Sequence, residues 1–323
     1  MITKRDLLAG AAAVGAAASF GFQGAQAQTV DLLKIFVPAA PGGGWDQTAR
    51  MIENAMRGAK LIGGAQITNV PGAGGAVGLP QFINQWKGQG NSLMVAGMVM
   101  VGSLIANKSA LSLAQVTPIA RLTGEFQAIV VPADSPFKTI KDFADALKAD
   151  PTKVPVAGGS AGGSDHILLG MIAKAVGVPA PKVSYVAFSG GGPATAALLG
   201  SQVAAGISGY GEFGEQIKAG KLRALAISAD KRQTGIDMPT LKESGIDVEL
   251  FNWRGVFAPP GVSDEQRKAM TDIVQKMAAS TEWADICKKQ DWTQITLVGD
   301  DYAKYIASET TRIGAILKDL GLA

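Results

Sequence analysis

The chain has 323 residues, 47% of them hydrophobic and 18% charged, and a formal net charge of +3. It is long enough for two lobes and too apolar to be disordered, while so small a charge, without a Lys/Arg stripe, excludes a nucleic-acid surface. One cysteine, Cys287, and one histidine, His166, rule out an intramolecular disulfide and leave almost nothing for a zinc or copper site; no cofactor is expected.

The N-terminus reads as an export signal over residues 1–27. Lys4 and Arg5 form a basic head, Leu7 to Phe22 is apolar, and Ala25-Gln26-Ala27 gives an A-x-A-like cleavage site. The apolar run is shorter than the ~20 residues of a membrane span. Thr3 to Leu8 resembles a twin-arginine signal with Lys in the first place, so Sec and Tat export both stay open. Export is expected, with a mature chain from about Gln28.

Four segments then repeat one pattern, a short β-rich run, a glycine-rich turn and a helical stretch. In the first, Leu32–Val37 leads through Pro41–Gly44 to a helix from about Asp46. The second, "ITNVPGAGGAVGLPQFINQW", accepts Pro80 only in a first helical turn. "VPVAGGSAGGSDHILLGMIAKAVG" is the third. "VSYVAFSGGGPATAALLG" is the fourth, with Pro193 placed as a first helical residue. Alternation of this kind implies an α/β fold with a parallel or mixed sheet.

Between and after these units lie scaffold helices. Thr139 with Asp142, and Ser263 with Gln266, form capping boxes, and Gly321 closes a last helix from roughly Asp301 to Leu320. "AIVVPADSPF" and "VELFNWRGVFAPPG" are assigned as two crossings between lobes. Lobe 1 is then discontinuous, residues 28–126 plus 251–323, and lobe 2 covers 127–250. In such folds ligands sit in the crevice at the carboxyl ends of strands.

Four glycine loops, each before a helix, suggest one shared task. A helix N-terminus exposes up to four unpaired amides and about half a positive charge, and glycine lets a ligand approach them. The result is an anion site without Lys or Arg, suited to carboxylate or phosphate. Nucleotide motifs do not fit: Gly42-Gly43-Gly44 lacks the last glycine of G-x-G-x-x-G, and no Walker sequence occurs.

Gly158-Gly159-Ser160-Ala161-Gly162 matches the nucleophile elbow G-x-S-x-G letter for letter. His166, however, lies six residues on, in the first turn of the helix that the elbow would start. It is badly placed to meet Ser160 with an acid behind it. Ser160 reads better as a hydrogen-bond donor than as a nucleophile, and no enzyme activity is expected.

"VPAAPGGGWDQTAR", "NVPGAGGAVGLPQF", "GGSAGGSDHI", "AFSGGGPATAALLGSQVAAGISGYGEF" and "NWRGVFAPPG" together resemble the substrate-binding proteins of tripartite tricarboxylate transporters, the TctC or Bug family, over essentially the whole mature chain. The resemblance implies a two-lobed periplasmic-binding-protein fold of Venus-flytrap, type II-like form, with a hinge of two crossover strands. It also implies a monomer that holds a small organic acid anion and passes it to integral-membrane permease subunits. Carried onto this sequence, the ligand-binding residues are Pro41, Gly42, Gly43, Gly44 and Trp45 of one pincer, and Ala73 and Gly74 of a second. The other lobe offers Ser160, Ala161, Gly162, Ser164 and His166, facing Phe188, Ser189, Gly190, Gly191 and Tyr210. "SGGG" and "SGYGEF" are similar to the tricarboxylate-binding branch, which favours a citrate-like di- or tricarboxylate. Arg254 is read first as a hinge ion pair and second as a ligand contact. A receptor that signals to a membrane kinase fits the same sequence.

Overall fold

The computed structural model describes residues 30–323; the export signal expected over residues 1–27 lies outside the described residues. The first sheet is seeded by strand β1 (Val30–Val37), which the chain leaves through helix α1 (Gly44–Gly58) to return as β2 (Ile62–Asn69), parallel to β1. Ala49, Ile52, Ala55 and Met56 form the buried stripe of α1, the spacing an amphipathic helix needs to cover a sheet. Helix α2 (Gly78–Gln85) holds Pro80 in its first turn, and β3 (Ser92–Gly97) joins the other edge of β1, all six of its residues buried. Such a run, apolar on both faces, marks an interior strand. Helix α3 (Met98–Ala106) follows without a loop.

Strand β4 (Thr117–Pro132) runs for 16 residues and belongs to two sheets. Beyond it come α4 (Ile140–Ala149), β5 (Val156–Gly158), α5 (Ser164–Ala175), β6 (Tyr185–Ala187), α6 (Gly191–Leu199), β7 (Ala205–Gly209), α7 (Tyr210–Lys218) and β8 (Leu222–Ile227). The chain then returns through β9 (Phe251–Ala258), α8 (Asp264–Ala278), α9 (Thr281–Lys289), β10 (Thr293–Val298) and α10 (Gly299–Leu320). Up to Phe126, β4 pairs with β9 and β10; from Gln127 it pairs with β7 and β8. The first sheet therefore runs β2-β1-β3-β9-β4-β10 and the second β8-β4-β7-β5-β6, joined at β4.

This is a two-lobed α/β fold with two crossings. One crossing is the middle of β4. The other is the extended chain entering β9, where the Leu250 amide donates to the Ser228 carbonyl at 3.0 Å and Phe251 lies opposite Phe126. The two phenyl rings pack 4.9 Å apart, giving the hinge an apolar core.

The capping boxes at Thr139 and Ser263 are both formed, and Gly321 closes α10 in the left-handed conformation. Pro193 is a correction: α6 begins at Gly191, so the proline is its third residue rather than its first. The shift is tolerated because the third amide of a helix also lacks an intrahelical partner.

Candidate functional site

Each glycine loop ends a strand and begins a helical turn. Gly43, Gly163 and Gly190 are the N-cap residues of α1, α5 and α6, and none of these helices receives a side-chain cap. Their first amides are thus left to whatever enters the space between the lobes. Gly190 adopts φ 143°, in the region that favours glycine. The second loop makes a single 3-10 turn, Ala73–Gly75. Ala73 sits there at φ 45°, a strained conformation for a residue with a Cβ.

Asp46, in the first turn of α1, points back rather than into the cleft. Its carboxylate accepts from the Gly42 amide at 2.9 Å, from Arg50 at 2.9 Å and from Asn69 at 3.0 Å. Burial alone would raise its pKa, but these donors hold it below the usual carboxylate range. Asp46 is a brace for the first loop.

The four loops meet around one cavity of about 60 Å³. Gly43, Gly44 and Trp45 line it from the first loop, Gly72 and Gly74 from the second. Ser160 and Ser164 face them from the third, and Ser189, Gly190 and Gly191 from the fourth. Across the cleft the Ala40 amide donates to the Ser189 carbonyl at 3.2 Å, tying the first and fourth loops together. Among the expected residues, Pro41, Gly42, Ala73, Ala161, Gly162, His166, Phe188 and Tyr210 do not line this cavity. Tyr210 is buried in the second lobe's apolar cluster, against which Phe188 also packs.

His166 is held by its neighbours. Its Nδ1 accepts from the Gly162 amide at 3.1 Å, and its ring stacks on Tyr185 at 4.3 Å. That bond fixes a neutral imidazole, and burial lowers its pKa further. The adjacent acid, Asp165, turns instead to the Gly159 amide (2.6 Å), Ser164 (3.2 Å) and Gln127. His166 and Asp165 are thus engaged with Gly162, Tyr185 and Gly159.

The floor of the cavity holds acids that sequence reading missed, gathered around the Arg254 that it had read as a hinge ion pair. Arg254, from β9, is 3% exposed and pairs with Glu125 of β4 and, at 3.4 Å, with Glu212 of α7. Its Nη1 also donates to Thr48 at 3.3 Å, and Asn252 donates to Glu125 at 3.3 Å. Arg254 is a buried ion pair at the crossing and a wall of the cavity at once. Asp165 and Glu212 line the same space. Burial pushes Asp165 up to about 6 and Glu212 up to about 8, Arg254 working against the rise in both. The acids are far apart in sequence, and nothing local marks them as buried.

The family model of the tripartite tricarboxylate transporter family receptor matches residues 48–322. The chain belongs to that receptor family. One relative of this receptor, the UPF0065 protein in the gbd 5' region of Cupriavidus necator, is 28% identical over 324 residues, covering 98% of this chain and 96% of its own. The solved periplasmic binding protein BugD superposes with a TM-score of 0.80 at 24% identity, over 90% of this chain and 98% of that one. MatC of Rhodopseudomonas palustris, solved with bound malate, superposes with a TM-score of 0.78 at 24% identity, over 89% and 99%. These neighbours share the two-lobed fold of the receptor.

Proposed function

We propose that the receptor is exported to the periplasm, closes its two lobes on a small organic carboxylate and delivers it to a tripartite tricarboxylate-type membrane permease. The lobes are assigned as residues 28–126 plus 251–323 and 127–250. The observation that carries the reading is the convergence of four glycine loops, three of them at uncapped helix N-termini, on one cavity. Backbone amides gathered this way favour an anion without a matched cation. The cavity also touches Trp45, whose indole offers an apolar wall for a carbon skeleton.

A cavity of about 60 Å³ holds only about two waters. Ligand entry therefore requires the first and fourth loops to part, which the two crossings permit by hinging. MatC, of the same fold, was solved with bound malate, and this supports a small di- or tricarboxylate as cargo, the class favoured by the sequence.

A panel of mono-, di- and tricarboxylates tests the proposal. A ligand that binds only the native state raises its stability by about 2.7 kcal/mol at a hundred times Kd. At least one di- or tricarboxylate is expected to raise the Tm of residues 28–323. No shift with any acid would overturn the reading. Transport rather than signalling is tested by whether uptake of that acid in cells is lost with the gene.

A further inference from the structure

Three carboxyl groups, from Glu125, Asp165 and Glu212, share the floor of the cleft with a single guanidinium. They are not equally provided for. Asp165 accepts from an amide, a hydroxyl and the Gln127 amide group. Glu125 receives Arg254 and Asn252 on Oε1, while its Oε2 is buried without a partner. Glu212 has only the longer contact to Arg254, and its Oε2 is buried with no partner, the nearby Ser208 hydroxyl falling short of bonding geometry. Buried charge without compensation is resolved by taking up a proton, and Glu212 is where that proton costs least.

Its position gives the proton a use. Glu212 lies between the first turns of α1 and α6: a methyl group on Gly44 or on Gly191 would overlap its carboxyl. The amides that face an incoming anion and the carboxyl of Glu212 therefore border the same space. We propose, building on the receptor reading above, that Glu212 reads the cargo as a neutral acid, its O–H donating to an oxygen of the bound carboxylate, so that the receptor takes up each organic anion together with a proton held on Glu212.

The groups that face Glu212 agree with this. Arg254 on β9 favours its anion, while Glu125 on β4 and Asp165 on α5 oppose it. Helix α6 carries no titratable residue, and the Asp46 carboxylate of α1 is spent on Gly42, Arg50 and Asn69. His166 of α5 is held neutral by Gly162 and Tyr185. Burial leads the balance and pushes Glu212 up to about 8, so its proton is lost only as pH rises above neutrality.

The test is calorimetric titration with malate, succinate, adipate and citrate, which are essentially ionised from pH 7 upward. For those that bind, Kd is expected to rise about tenfold from pH 7 to pH 9, because each unit above the pKa removes tenfold of the binding-competent form. At pH 8 binding should take up protons, seen as a dependence of the heat on the ionisation enthalpy of the buffer. Glu212→Gln supplies a donor that does not titrate, so its Kd, whatever its value, should be the same at pH 7 and pH 9, without proton uptake. A wild-type Kd that changes less than threefold, the same slope in Glu212→Gln, or a folded Glu212→Gln that binds nothing would each overturn the inference and leave the receptor reading standing. No binding of any of the four acids at either pH would sink both.

Discussion

Replacing Arg254 by methionine probes the buried network most sharply. Methionine keeps an apolar stem of similar length and removes the cation. Glu125, 3% exposed, would be left with one donor, Asn252 at 3.3 Å, and Glu212 with none. Deleting one partner of a buried ion pair costs about 3–5 kcal/mol. The assay is urea unfolding at pH 7 followed by tryptophan fluorescence, for Arg254→Met and for Arg254→Met with Glu125→Gln. The double variant should recover about half the loss or more, since it no longer buries an orphaned carboxylate. A loss below about 1 kcal/mol at pH 7, or no rescue by Glu125→Gln, would refute the reasoning.

Three further outcomes follow from the same geometry. The folded-state pKa of Glu212 is raised, so its contribution to stability is full below the ordinary glutamate pKa and is lost as pH climbs to about 8, at about 1.4 kcal/mol per unit; urea midpoints of Glu212→Gln should lack that component. Gly191→Ala places a methyl against Glu212 Oε2 and should weaken ligand binding tenfold or more while the circular dichroism spectrum stays native. Trp45→Ala should raise Kd, at about 1–3 kcal/mol for a lost apolar wall, and abolish any fluorescence change that ligand causes.

Much of the fold was legible because it is punctuated locally. A strand of β-branched and aromatic residues, then glycine, then a 3.6-residue stripe needs only neighbours in sequence, and Leu32–Met56 shows all three. Capping boxes at Thr139 and Ser263 are local too. The site was legible where it is backbone and glycine, and at Arg254, read as a hinge ion pair; it was illegible at the acids that surround this arginine. Glu125, Glu212 and Arg254 lie 129 and 42 residues apart in their pairings, so only the crossing of β4 with β9 and the placement of α7 bring them together. Their burial depends on the tertiary fold, and a glutamate in "SGYGEF" looks the same whether exposed or not. Pro193 misled because the first turn of a helix accepts proline at more than one position.

The most direct test of the central claim is calorimetric titration of residues 28–323 with di- and tricarboxylates at pH 7, in the wild type and in Gly191→Ala. Saturable binding of one anion per chain, weakened at least tenfold by the added methyl, is the expected result. Silence from every acid, or binding untouched by that methyl, would contradict a carboxylate site between the glycine loops.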